Sequence, residues 1–299
     1  MKYEFVAKDF SSSSQALIDA MNDIIGRYQA QGYDLSLRQL YYRLVAANII
    51  PNTEQSYKRA GAILSDARLA GLVDWEAIVD RGRELVQNSH WESAESIVRA
   101  CAKQFQFDKW EAQPCHVEVM VEKQALEGVL KPVCRKLDIG FMANKGYSSS
   151  SAMYEAGRRL ADKMSFGKHI AIIYLGDHDP SGIDMTRDVE ERLLLFSEHA
   201  AYYEDEALTF DVVRVALNMP QIDQYKPPPN PAKLTDSRCD GYIRRFGSKC
   251  WELDALEPNV LASLVENAVL RFRDDDLWEA AIARERRARQ VLSEIEVPA

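Results

Sequence analysis

The chain has 299 residues, of which 46% are hydrophobic and 28% charged. That balance belongs to a globular protein with a sizeable core and excludes a disordered, collagen-like or rod-shaped chain. Lys and Arg number 37 against 46 Asp and Glu, so a net charge of −9 argues against a uniformly basic DNA-coating protein, although a local basic groove depends on where charges sit and not on their sum.

Up to about residue 110 the pattern is helical. The serine run 11–14 can cap a helix carrying Ala16, Leu17, Met21 and Ile25. Ser36 can cap a second helix over 37–47, stopped before Pro51, and a third over 53–70 is closed by Gly71. Val73, Trp75, Ile78 and Val79 then predict a short hairpin or turn. Three short helices followed by a small extended element read as a winged-helix-like domain.

After Pro114 the pattern changes. Strands are expected at 116–121, 139–143, 169–175 and 210–217, and helices at 124–137, 152–164 and 183–198. Strands alternating with helices of this length imply an α/β fold with a mostly parallel sheet flanked by helices. The boundary between the two domains is placed near Ala112, giving domains 1–111 and 112–299. Residues 217–241 read as a long polar loop, and two more helices are expected at 258–273 and 275–294.

Five cysteines, widely spaced and without a Cys-x-x-Cys pair, read as reduced thiols. The N-terminus lacks the apolar core of a signal peptide, and the most apolar stretch, 170–175, is far too short to span a bilayer. A cytoplasmic, nucleoid-associated protein with no membrane role is the expectation.

The chemistry gathers at strand ends. In the first strand Val117, Val119 and Val121 share one face, while Glu118 and Glu122 lie on the other. Glu122 falls at the C-terminal end, where open parallel sheets bind ligands. The strand Ile170-Ala-Ile-Ile-Tyr-Leu175, apolar on both faces, runs into Gly176-Asp-His-Asp-Pro-Ser-Gly182. If these strands are neighbours, Glu122, Asp177 and Asp179 converge on one rim. Three carboxylates need a counter-charge, and Mg²⁺ (or Mn²⁺) supplies one while sharing phosphate oxygens. The trio therefore points to metal-assisted phosphodiester chemistry. Taken alone, Asp179 before Pro180 is a helix N-cap. Glu118 lies deeper and reads as a salt-bridge partner, and alternation turns His178 away from the metal.

A strand ending in Glu followed by one ending in Asp-x-Asp resembles the Toprim domain of topoisomerases, primases and certain nucleases. Val119-Met-Val-Glu-Lys-Gln-Ala125, Asn144-Lys-Gly-Tyr147 and Gly176-Asp-His-Asp-Pro-Ser-Gly-Ile183 look like the topoisomerase VI A subunit and its meiotic double-strand-break relatives. Upstream, Leu37-Arg-Gln-Leu-Tyr-Tyr-Arg43 is similar to that family's tyrosine motif in its winged-helix domain, and the order of the motifs agrees. The resemblance, over roughly residues 30–216, is to a compact relative. It implies a tyrosine nucleophile at the second tyrosine, Tyr42, and a 5′-phosphotyrosyl link to DNA. It also implies a homodimer in which one protomer's tyrosine works with the other's metal site, and a separate ATPase subunit for strand passage. No P-loop ATPase motif occurs in this chain.

Helical geometry agrees with the choice of tyrosine. Leu37, Leu40, Tyr41, Leu44 and Val45 form one apolar stripe, which makes Tyr41 core. Tyr42 is turned about 100° away, beside Arg38 on the polar side. A phenol with a pKa near 10 is a poor nucleophile at neutral pH, and Arg38 and Arg43 are positioned in sequence to stabilise a phenolate. Lys58, Arg59 and Arg68 on the third helix, with Arg81 and Arg83 in the wing, are candidate DNA contacts. Lys145 and Tyr147 are candidate backbone contacts near the metal. Glu122 doubles as the group that shuttles the 3′-oxygen proton. The alternatives are a Toprim nuclease using metal-activated water, or a DNA-binding subunit whose cleavage waits for a partner.

Overall fold

A computed structural model describes residues 2–79, 88, 90–144, 146–200, 210–232 and 235–295. The chain begins with helices α1 (Ser12–Gln29), α2 (Leu37–Ala46), α3 (Glu54–Leu69) and α4 (Ala94–Gln104). The cap residues set the starts of the first three. The hydroxyls of Ser11, Ser36 and Thr53 each accept from a backbone N–H three residues on, and Gln39 returns the bond to the Ser36 N–H. Leu17, Ile18 and Met21 of α1, Leu40 and Leu44 of α2 and Leu64 of α3 close one core. Of the hairpin or turn expected at 73–79, the turn forms, at 75–77, and Ile78 bridges to Leu35. Arg81 and Arg83 lie outside the described residues.

The second half follows the alternation: β1 (Cys115–Val121), α5 (Glu127–Lys136), β2 (Gly140–Ala143), α6 (Ser150–Met164), β3 (His169–Leu175), α7 (Pro180–Ala200) and β4 (Phe210–Ala216). The four strands form one sheet in the order β2-β1-β3-β4, all parallel. β3 is central, and six of its seven residues are buried, which is why its sequence is apolar on both faces. One sheet face carries Val117, Val119, Val121, Ala171 and Ile173 against Val129, Leu130 and Val133 of α5. The other carries Met120, Ile170, Ile172 and Tyr174 against Met153 and Leu160 of α6 and Met185, Val189 and Leu193 of α7.

The stretch expected to be a long loop holds structure. It contains α8 (Met219–Tyr225) and a short strand β5 (Asn230–Pro231), and runs into α9 (Cys239–Phe246). β5 pairs antiparallel with β6 (Lys249–Cys250), and α10 (Pro258–Leu270) and α11 (Asp275–Ser293) follow. Proline is tolerated in the first turn of a helix, so Pro220 opens α8 without breaking it. α10 packs on the α5 side of the sheet, through Leu261 and Val265. Among the described residues no helix is long and apolar enough to cross a membrane.

Glu118 forms the salt bridge expected of it. It sits inside β1 and takes two bonds from Arg159, at 2.9 and 2.8 Å, with His116 Nε2 at 3.0 Å. Burial opposes the charge, but Arg159 and His116 hold the carboxyl down at about 2. A depressed carboxyl stabilises the fold above the unfolded pKa and loses that stability as pH falls toward the folded value. Glu118→Gln should therefore cost about 2 kcal/mol at pH 7, after discounting for the half-exposed Arg159. In urea melts the difference from wild type should shrink as pH falls from 4.5 toward 2.

Candidate metal and tyrosine site

β1 and β3 are neighbours, so their C-terminal ends lie side by side, and Glu122 N–H donates to Leu175 O at 2.9 Å. The chain leaving β3 is held from below and from the side. Glu122 Oε2 accepts from Asp177 N–H at 2.8 Å. Arg214, from β4, donates to the carbonyls of Gly176 at 3.0 Å, Asp177 at 2.6 Å and Gly182 at 3.0 Å, and to the Thr186 hydroxyl at 2.6 Å. Gly182 has no room for a side chain, since a Cβ there would stand 2.3 Å from Asp177 O. Sequence reading did not pick out Arg214. A fifth bond reaches Leu217 O at 3.3 Å, and Arg214→Met, which removes all five part-buried charge-assisted bonds, should cost about 3 kcal/mol by thermal or urea unfolding.

Asp179 takes the capping role that its sequence neighbours allow. Its Oδ1 accepts from Gly182 N–H at 2.6 Å and from Ser181 Oγ at 3.0 Å, at the start of α7. His178 points away, as alternation predicts. Its Nδ1 meets the Tyr242 hydroxyl at 2.7 Å, and burial pushes its pKa down to about 4.

A second segment completes the rim. His178 and Trp251 form an antiparallel bridge, His178 N–H to Trp251 O at 2.8 Å and the return bond at 3.0 Å. This lays the segment Trp251-Glu-Leu-Asp-Ala along the strand ends. Leu253 N–H then donates to Asp177 Oδ1 at 2.8 Å. Glu252 and Asp254 fall on the same side as Asp177, while Leu253 enters the sheet core. Asp177, Glu252 and Asp254 each offer an oxygen, all within 4.8 Å of one another.

This cluster is the one group of three candidate ligands among the described residues, and of the expected trio it contains only Asp177. Glu122 is turned onto the Asp177 backbone and Asp179 onto the α7 N-terminus, so the structure does not gather Glu122, Asp177 and Asp179 as one ligand set. Sequence reading missed Glu252 and Asp254. Their Glu-x-Asp spacing resembles Asp-x-Asp, but nothing local says that residue 251 pairs with residue 178. All-oxygen donors of this kind suit a hard divalent cation. Asp254 Oδ2 is buried and makes no hydrogen bond, meeting only the Arg38 guanidinium at 3.4 Å. Burial, with the neighbouring carboxylates, raises Asp177 and Glu122 above the usual carboxylate range, against the pull of Lys123.

The tyrosine motif meets this rim within the same chain. α2 packs on the turn at Leu253–Ala255, where Tyr41, Tyr42, Val45 and Ala255 form a small cluster. Tyr42 is as buried as Tyr41, each 4% exposed, which corrects its expected place on the polar side. The helical period identifies the face toward α1 and α3, but not the remote segment that covers the opposite face. The Tyr41 hydroxyl donates to Asn52 and to Thr53 O. Tyr42 instead faces Arg38, Glu252, Asp254 and Lys123, and burial with the two carboxylates pushes it up to about 12.

The expected DNA contacts divide. Arg38 is half-exposed and lies 3.4 Å from Asp254 and 3.6 Å from Glu252, on the side that Tyr42 faces. Arg43 is not a surface contact. It is buried against Glu257 and Ala255 O, and burial lowers it to about 10. Lys58 is exposed and pairs with Glu54 at 2.7 Å, and Arg59 is exposed near Ser13. Arg68 turns inward to Trp75 and Ile78 O. Lys145 lies outside the described residues. Tyr147 donates to Asp184 at 2.6 Å beneath Arg238. A small cavity of about 310 Å³, lined by Arg38, Tyr42, Asn52, Tyr57 and Asn230 among others, opens beside the tyrosine.

Comparison with protein-family models and with curated proteins finds no match for this chain.

Proposed function

We propose that this protein cleaves double-stranded DNA by metal-dependent transesterification, with Tyr42 as nucleophile. The observation that carries the reading is the meeting of two separate motifs: α2 sets Tyr42 against the same acidic rim that receives the end of β3. N-terminal helices followed by a four-stranded parallel sheet are compatible with the resemblance to the topoisomerase VI A subunit, although the carboxylates gathered here are not the expected trio.

Asp177, Glu252 and Asp254 would hold a divalent cation, Mg²⁺ or Mn²⁺, which supplies charge neutralisation at a phosphate oxygen. Glu122 keeps Asp177 in place through its backbone N–H. Arg38 stands between the phenol and the carboxylates, placed to meet a phosphate once DNA enters. The Tyr42 phenol loses its proton, the Oη–P bond forms and the P–O3′ bond breaks. The departing 3′ oxygen takes up a proton, and no water is consumed. The product is a 5′-phosphotyrosyl link and a free 3′-hydroxyl. Tyr42 faces the acidic cluster of its own chain, so in this reading each chain carries both halves of a site, in place of the sites shared between protomers that the resemblance implies. A double-strand break then takes two copies, which is the homodimer of this reading, and ATP-driven strand passage takes a separate ATPase subunit.

One observation favours a second reading. Tyr42 is buried and its pKa is raised, which suits a nuclease that uses water at the carboxylates while Tyr42 packs. The test is cleavage of supercoiled plasmid with Mg²⁺, stopped in detergent, with and without protease. Linear DNA carrying protein on its 5′ ends supports the transesterase. Protein-free ends that persist in Tyr42→Phe and vanish in Asp177→Asn establish the nuclease.

A further inference from the structure

Lys123 directly follows Glu122 at the end of β1, and its side chain enters the acidic cluster. Its Nζ lies 2.8 Å from Asp177 Oδ2 and 3.1 Å from Asp254 Oδ1, and it also bonds Glu252. These are the three carboxylates of the candidate cation site. An ammonium has three donors, and here each meets a different member of the cluster.

We infer that Lys123 is the site's own cation, and that its ammonium and a divalent ion occupy one seat in turn. The inference rests on the reading that this cluster takes a divalent cation. A divalent ion of the Mg²⁺ class sits about 2.1 Å from its oxygens. The ammonium contacts an oxygen of each of the three carboxylates, so an ion held by those same oxygens would lie within contact distance of Nζ. Two cations so close repel strongly, and neither leaves the other its ligands. Arg38 cannot take the role, since it approaches the same carboxylates only to 3.4 and 3.6 Å and is half-exposed. Lysine is suited to leaving, because its charge rides on a flexible four-carbon stem and is readily hydrated.

The arrangement has a consequence for control. Without metal the carboxylates are compensated from within, so the site is preformed and closed to chemistry. Metal binding must expel Lys123, which lowers the affinity of the site and makes its occupancy depend on metal concentration.

The test uses the full chain and Mn²⁺, with no DNA. Mn²⁺ binding, followed by electron paramagnetic resonance, should be at least tenfold tighter in Lys123→Met than in wild type, and absent in Asp254→Asn. If Lys123→Met does not fold, the wild type decides alone. Acetylation by an N-hydroxysuccinimide ester, read by peptide mass spectrometry, should label Lys123 at least fivefold faster with saturating Mn²⁺, with other lysines unchanged. If Mn²⁺ binds wild type and is lost in Asp254→Asn, but Lys123 stays shielded and its removal tightens nothing, the shared seat is overturned while the metal site stands. If Mn²⁺ binds none of the proteins, the inference falls together with the metal reading.

Discussion

Tyr42→Phe should abolish the covalent protein–DNA adduct and leave the fold close to wild type. The phenylalanine ring keeps the packing against Tyr41 and Ala255, and only the hydroxyl near Arg38 is lost. Tyr41→Phe should do the reverse. It gives up bonds to Asn52 and Thr53 O, costing about 1 kcal/mol, but keeps the adduct. The pH profile adds a second signature. With Tyr42 held at about 12, its phenolate is scarce at neutral pH. Adduct formation under single-turnover conditions should therefore climb roughly tenfold per pH unit through the range in which the protein stays folded. Arg38 pulls the phenol down, so Arg38→Ala should lower the rate at every pH. A profile flat in pH would mean that the tyrosine proton is not in play.

Asp177→Asn should reduce cleavage by at least a thousandfold while changing stability by no more than about 1 kcal/mol. The loss follows from removing a charged oxygen from a three-carboxylate set, as metal sites depend on ligand charge and count. The modest stability cost follows from the local charge balance. Asn can still accept from Leu253 N–H, and Lys123 keeps Glu252 and Asp254. Removing one buried negative charge from a crowded acidic rim offsets the lost ion pair. The raised Asp177 and Glu122 also set a pH sign. A carboxyl whose folded pKa lies above its unfolded value favours the fold at low pH and loses that contribution as pH rises through the folded value. A bound cation opposes this loss. Mg²⁺ should thus raise the melting temperature more at pH 8 than at pH 5, and in Asp177→Asn this difference should largely disappear.

The sheet was legible because β3 is a short apolar run bounded by polar turns, and β1 alternates around three valines. The caps at Ser11, Ser36 and Thr53 were legible because a hydroxyl before an apolar period satisfies helix-end N–H groups. Asp177 was legible as the polar residue just past a buried strand. What escaped was set by tertiary pairing. The bridge between His178 and Trp251 brings Glu252 and Asp254 to the rim, and the same segment covers Tyr42 and Arg43. Periodicity reports which face of a helix is apolar, not which distant turn will lie against the other face. Asp179 shows the converse: its local signal was a helix cap, and the cap is what forms.

The most direct measurement is identification of the residue that holds the DNA. Full-length protein, Mg²⁺ and duplex DNA would be denatured during cleavage, digested with nuclease and trypsin, and read by mass spectrometry. The account predicts a nucleotide joined through its 5′ phosphate to Tyr42, on a peptide that also contains an unmodified Tyr41. Cleaved DNA with free 5′ phosphates, and no tyrosine adduct on any peptide, would contradict it.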